Sequence, residues 1–343
     1  MMNLEDFLDN YMNIGFDPYI VLNDNEPLLL ESDTETLEVL SISNPLVGKY
    51  IKEKKLVLQK NDWKKYTGYF IKCSKNSFGN AQTCFLTSEE GLEQRVQNVI
   101  VVEEGGHLEL FTGCLSGKHV KGNIHRSVTD IFVGENATLI FNMIHSWGST
   151  SKVYPNVKVH VAKGGRYISN YIVWEEVKEI ISNPTVKVDD GGQTILNSLS
   201  YIHPKSNIDL GGNIKLLGKD SVGEIHSSAV NGGGDFVTNT ILEGVGDNSK
   251  GHIDCNALLL NDGAKVTAIP QLFSKNSNTQ LTHEAFLGKV SSEEIEYLQT
   301  KGFSHDDAEE IVVKGFVNKS IEGMPEKVQE RMLDILEKAK LGF

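Results

Sequence analysis

The sequence predicts an all-β core folded as a parallel β-helix, preceded by a small mixed N-terminal region and followed by C-terminal α-helices. Three observations predict it. From about residue 95 to 290 the chain is built of short alternating β-branched stretches, each broken by a Gly, Asp or Asn turn, as in VIVVEEGGHLELF (99–111), VKVHVAKGGRYISNY (157–171) and TVKVDDGGQTILNS (185–198). The turn landmarks Gly106, Ala137, Gly165, Gly192, Gly212, Gly234 and Ala264 recur at intervals of 20 to 31 residues. Helical periodicity is nearly absent between them. Recurrence of this kind suits stacked coils that cannot bury an apolar face singly. An antiparallel sandwich or barrel, also made of strand–turn–strand units, is the alternative that the pattern leaves open.

Residues 1–94 mix short helical and strand patterns without a sustained period and form the first segment; 95–290 form the β-helix core, and 291–343 the helical segment. In the tail, Ser291 and Ser292 precede EEIEYLQTKG, with carboxylates in the first turn and Gly302 as a stop. Ser304 with Asp307 forms a capping-box pattern that opens a helix through EEIVVKGF. Pro325 suits the first turn of a third helix ending at Gly342, with Val328, Met332, Ile335 and Leu336 as its apolar stripe. Such helices either cap the end of the stack or dock a partner.

The 343 residues carry 33 Lys and Arg against 46 Asp and Glu, a net charge of −13, which disfavours a nucleic-acid partner. No apolar run approaches the ~18 residues of a membrane span. The start MMNLEDFLDNYMNIG lacks the basic and apolar regions of a secretory leader, so a cytoplasmic location is expected. Cys73, Cys84, Cys114 and Cys255 show no Cys-x-x-Cys spacing and are expected as thiols, each by default a small buried apolar group. Neither GNIKLLGKD (212–220) nor GCLSGKH (113–119) has the spacing of a phosphate-binding loop, so ATP chemistry is not expected on this chain. Nucleophile-elbow, HExxH and EF-hand patterns are absent as well. A carbohydrate-active β-helix enzyme would need clustered carboxylates on one face of the coils, and none is apparent in the sequence.

Residues 251–317 are the most distinctive. A Cys in a strand precedes a Leu-rich run, a Gly-Ala turn, a Pro and a His-Glu-Ala triplet; a YLQ helix, an acidic-Ala helix and a Gly-Phe follow. Upstream lie FTGCLSG (111–117), IHRSVTDIFVGENATL (124–139), IHSWG (144–148) and DSVGEIHSSAV (220–230). In order and spacing these resemble the SUF iron–sulfur assembly scaffolds, SufB and SufD, over roughly residues 95 to 343; the first 90 or so residues match poorly.

The resemblance implies a right-handed parallel β-helix, not an enzyme, that assembles a nascent iron–sulfur cluster at a subunit interface and passes it to apo-proteins. It implies three kinds of partner: a SufC-like ABC-type ATPase, a second copy or a second SufB/SufD-type subunit, and a sulfur donor. Cys255 is similar to the SufB cysteine that holds cluster or sulfur, a soft thiolate ligand for iron. Glu284 matches an acidic SufB position and would supply oxygen. His283 matches a His shared by SufB and SufD. One chain with both features suggests a homodimer. Cys114 is similar to the SufB cysteine that accepts sulfur, or is simply a buried thiol. Tyr297, Leu298, Ala308 and Ile311 are the expected ATPase contacts. Thr282 stands where SufB commonly has Glu, which puts the full acidic set in question. The alternative within the family is a SufD-like accessory subunit that supports iron entry.

Strand alternation adds one constraint. His283 and Glu284 should face opposite ways and not share an ion, unless a bulge re-aims one of them.

Overall fold

The computed structural model describes residues 19–30, 35–117, 119–324, 326 and 329–330. Two long sheets wind into a parallel β-solenoid. In the first, which we term sheet A, the parallel strands β5 (Phe78–Thr87), β7 (His107–Ser116), β9 (Thr138–Ser146), β11 (Arg166–Val173), β14 (Gln193–Ile202), β17 (Val222–Asn231), β19 (Lys250–Leu259) and β21 (Gln280–Lys289) stack in chain order. Sheet B holds their counterparts, including β4 (Tyr69–Cys73), β6 (Glu93–Val102), β8 (Ile124–Val133), β10 (Lys152–Val161), β18 (Asp235–Gly244) and β20 (Lys265–Ser274). Register partners on successive coils lie 27 to 31 residues apart, from Tyr171↔Ser198 to Thr112↔Met143.

Seven of the eight passages from sheet B to sheet A place one residue in the left-handed region, namely Asn76, Gly105, Asn136, Gly164, Gly191, Asp220 or Asn248; the last, from β20 to β21, does not. Asn, Asp and Gly tolerate that conformation, so the turn residues seen in the sequence are conformational requirements of the coil. Gly105 also needs to lack a side chain: a Cβ there would lie 2.1 Å from Asn76 Oδ1 on the coil before.

Two sequence expectations change. Gly106, Ala137, Gly165 and Gly192 sit at the B-to-A corner, whereas Gly234 and Ala264 sit at the opposite corner. Gly212 is no corner; it starts β16 (Gly212–Leu216) at a bend that splits one sheet B strand into β15 (Asn207–Leu210) and β16. All three places use the same turn chemistry, which is why the landmarks looked irregular. The position 94/95 is not a break either. β5 already pairs in parallel with β7 and β4 with β6, and β1 (Tyr19–Asn23) continues sheet A beyond β5.

The inner faces of the sheets form one long core, from Ile71, Ile100 and Leu110 through Ile180, Ile225 and Ile253. Dense burial of β-branched and aromatic side chains is the principal stabilising term. Helix α1 (Pro45–Glu53) belongs to the N-terminal region; in the tail the described residues form α2 (Ser292–Thr300) and α3 (His305–Ile321). Ser304 and Asp307 make the expected capping box. These helices do not cap the stack. Val313, Val317 and Ile321 of α3 pack on the outer face of sheet A against Ile172, Leu199, Val230 and Leu258. The apolar stripe expected at Val328, Met332, Ile335 and Leu336 lies outside the described residues.

The last coil is therefore left open among the described residues. Ile269, Leu272, Phe273, Phe286 and Leu287 of β20 and β21 are exposed large apolar side chains. No described helix is long and apolar enough to cross a membrane.

Candidate functional site

Cys255 lies on β19, the last strand of sheet A whose inner face is fully covered. The strand alternates strictly: Ile253, Cys255 and Ala257 point into the core, while His252, Asp254 and Asn256 face outward. Cys255 is 1% exposed, and burial pushes its thiol up to about 11. Its surroundings are unusual for an apolar core. Ser227 is its register partner on β17, and Thr238 and Thr240 project inward from β18 near enough to favour the thiolate. All three hydroxyls are buried and without a regular hydrogen bond. Unsatisfied buried hydroxyls carry a desolvation penalty of roughly 1–3 kcal/mol each, so a group of them around one thiol calls for a functional reason. Sequence reading missed these three residues, because nothing in one dimension brings Thr238 and Ser227 to Cys255.

The register between β19 and β21 is unbroken and sets the other site residues. Ile253 pairs with His283, Asp254 with Glu284 and Cys255 with Ala285. His283 therefore stands in the inner column, diagonal to Cys255, and is exposed, since among the described residues no further coil covers β21. Glu284 stands in the outer column beside Asp254. No bulge re-aims either one, so Cys255 and His283 come together on one face and Glu284 does not join them within one protomer. Thr282 is also outward, and its hydroxyl lies 2.7 Å from His252 Nδ1.

Cys114 is far from this place. It lies on the inner face of β7 between Phe85 and His145, 3% exposed, and burial raises its thiol well above the usual range. Five inter-strand steps separate β7 from β19, about 24 Å at the usual ~4.8 Å spacing, so sulfur cannot pass directly from Cys114 to Cys255. Beside Cys114, Trp147 Nε1–H donates to His145 Nδ1 at 3.1 Å, and His145 Nε2 has no partner. Cys73 belongs to the inner core, and Cys84 to the apolar layer under α3.

On the tail, Tyr297 is 61% exposed and Ile311 39%, with Leu298 half-buried. Ala308 is fully buried. It is a packing residue of α3 rather than a contact surface.

The outer face of sheet A near Cys255 carries ionisable groups. His226 Nε2 lies 3.1 Å from Glu224 Oε2, and its Nδ1 lies 3.8 Å from Asp254 Oδ2. The hydrogen bond to Glu224 raises the His226 pKa, and His226 lowers that of Glu224. As these side chains stand, no three His, Cys, Asp or Glu among the described residues are arranged to hold a metal ion.

Residues 85–316 match the family model described as the SufBD core domain of the SUF iron–sulfur cluster assembly system. A protein of Archaeoglobus fulgidus is 36% identical over 282 residues, covering 81% of this chain and 76% of that protein. One of Methanothermobacter thermautotrophicus is 31% identical over 275 residues, 78% of this chain and 67% of its own length. One of Methanocaldococcus jannaschii is 30% identical over 244 residues, 68% and 75% of the two chains. Each of the three is described as an iron–sulfur cluster assembly SufBD family protein.

Proposed function

This chain belongs to the SufBD family of iron–sulfur cluster assembly proteins, and we propose that it is the scaffold on which a nascent cluster is held. The observation that carries the reading is Cys255, enclosed with the unpartnered hydroxyls of Ser227, Thr238 and Thr240 and followed on the same face by exposed His283. The thiolate supplies a soft ligand for iron or carries sulfur, and the imidazole supplies a second donor. The three hydroxyls can donate to sulfide or to the thiolate, which offsets its burial.

Pairing through the open last coil supports the rest of the reading. A second copy, or another SufBD-type subunit, would cover Leu272, Phe286 and Leu287 and enclose His283. Glu284, on the opposite face of its own strand, would contribute oxygen only in such an assembly. Tyr297, Leu298 and Ile311 would receive a SufC-like ATPase, on which ATP hydrolysis takes place. Cys114 enters only as an upstream sulfur acceptor. Apo-proteins receive the cluster, which is cargo rather than a resident cofactor.

The test is anaerobic reconstitution of the full chain with iron and sulfide, alone and with a SufC-like ATPase. A visible sulfide-to-iron chromophore is expected from the wild type and not from Cys255→Ser. An equal chromophore from Cys255→Ser refutes the assignment. Sedimentation of Leu287→Arg, with β21 exposed on both faces, tests the pairing: a dimer that survives this charge uses another surface.

A further inference from the structure

The outer face of sheet A carries a second arrangement of ligating side chains, separated from Cys255 by the sheet itself. Glu224 and His226 occupy alternate positions of β17, and His252 and Asp254 alternate positions of β19. The register pairs Glu224 with His252 and His226 with Asp254. Two imidazoles and two carboxylates thus occupy the corners of a rectangle, each His facing a carboxylate both along and across the strands. Its sides are about 4.8 Å across the strands and about 6.6 Å along them. These side chains are three to four bonds long, so all four can meet above its centre.

Three further observations favour a ligand there. First, charge is uncompensated. Several cross-coil carboxylates elsewhere on the solenoid meet a basic side chain, as in Lys72–Glu38, Lys75–Glu104, Arg126–Glu93 and Lys215–Glu243. Among the described residues no lysine or arginine pairs with Glu224, Asp254 or the adjacent Glu284, so only the histidines answer three carboxylates. Second, two of the donors are already oriented from outside the rectangle. His252 Nδ1 lies 2.7 Å from the Thr282 hydroxyl, leaving Nε2 free, and Asn256 Nδ2 donates to both oxygens of Asp254 at 2.9 Å. Such outer partners are what fix the ring and carboxylate of a metal ligand. Third, the face is open: His226, Glu224 and Asp254 are each about a third exposed and need no unfolding to turn.

We propose that Glu224, His226, His252 and Asp254 form a binding site for a single first-row divalent cation of the Fe²⁺, Co²⁺ or Zn²⁺ class. Mixed imidazole and carboxylate donors suit these ions, while magnesium and calcium prefer oxygen alone and copper(I) prefers sulfur. In the metal-free arrangement His226 stands between the two carboxylates, hydrogen-bonded to Glu224 at 3.1 Å and 3.8 Å from Asp254. The ion takes the place of that bridge, with rotation of His226 and Glu224. The site uses no thiol and does not depend on the cluster reading.

The experiment is a titration of the full-length chain with Co²⁺ alone, without sulfide, followed by its visible ligand-field absorption. One equivalent is expected, without thiolate-to-cobalt charge transfer. His226→Asn and Asp254→Asn, made separately so that a folding failure in one leaves the other informative, each lose that equivalent. Thr282→Val weakens binding about tenfold by freeing the His252 ring. Cys255→Ser leaves the titration unchanged. Absence of binding in the wild type overturns the proposal, as does undiminished binding in both ligand variants. Charge transfer that disappears in Cys255→Ser also overturns it, and leaves the cluster reading intact.

Discussion

Cys255 and His283 occupy the same inner face of two adjacent parallel strands, offset by one diagonal, while Glu284, the next residue, faces the other way beside Asp254. The thiol is enclosed and the imidazole is not, because among the described residues β21 is the last strand of the solenoid. This makes Cys255 a core residue at the threshold of the open end. Its reactivity is governed by how often the last coil opens or what covers it.

Native Cys255 should therefore alkylate slowly at pH 8. Only the thiolate reacts, and its thiol is raised to about 11. The rate of iodoacetamide modification, read by mass spectrometry at this residue, should climb about tenfold per pH unit toward that value. Modification at the speed of a free exposed thiol near pH 7 would show that the enclosure is not maintained in solution.

Acidification should weaken the fold through His125 and His145. Both are fully buried in the core, and burial holds each down to about 3. His125 Nδ1–H donates to Gln94 Oε1 at 2.7 Å, consistent with a neutral ring. Between about 3 and the ordinary 6.5 the unfolded chain binds protons that the native state does not. Stability is thus complete above pH 6.5 and falls as pH drops through that window. At pH 5 each ring should cost about 2 kcal/mol. Urea unfolding at pH 7.5 and pH 5, in wild type and in a His125→Gln variant, measures it; equal pH dependence in the two would contradict the assignment.

Helix α3 should detach before the solenoid unfolds. Val313, Val317 and Ile321 hold it to sheet A through one apolar stripe, whereas the strands share ladders on both sides. Ile321→Ala should cost about 2–4 kcal/mol of that docking. Amide exchange should then accelerate across α3 while β14 and β17 keep their protection. Loss of protection in the strands to the same degree would mean that the tail and the solenoid form one cooperative unit.

Much of the fold could be read from the residues. Alternation placed the strands, and Asn, Asp and Gly marked the corners because a left-handed residue recurs at most of them. Ser304 and Asp307 marked the helix start through their reciprocal hydrogen bonds. The opposition of His283 and Glu284 needed only the period of a strand. The spacing of the landmarks misled where one turn chemistry served two corners and the bend at Gly212. The tail's position also escaped, since an apolar stripe does not say whether it will cover an end or a side.

The sequence by itself determined the element types, the family resemblance and the identity of Cys255, His283 and Glu284 as candidates. Tertiary structure decided which of them share a face. Side chains alternate with period two, so the parity of each coil length selects the column. The 30-residue step from Cys255 to Ala285 keeps odd residues with odd and puts His283 inside. A step of 27, such as Tyr171 to Ser198, exchanges the two sets. One residue more or less in a corner would move His283 to the outer face, and no local pattern records that choice. The same stacking put Ser227, Thr238 and Thr240 around Cys255 and set Glu224 and His226 against His252 and Asp254. Those groupings exist only across coils.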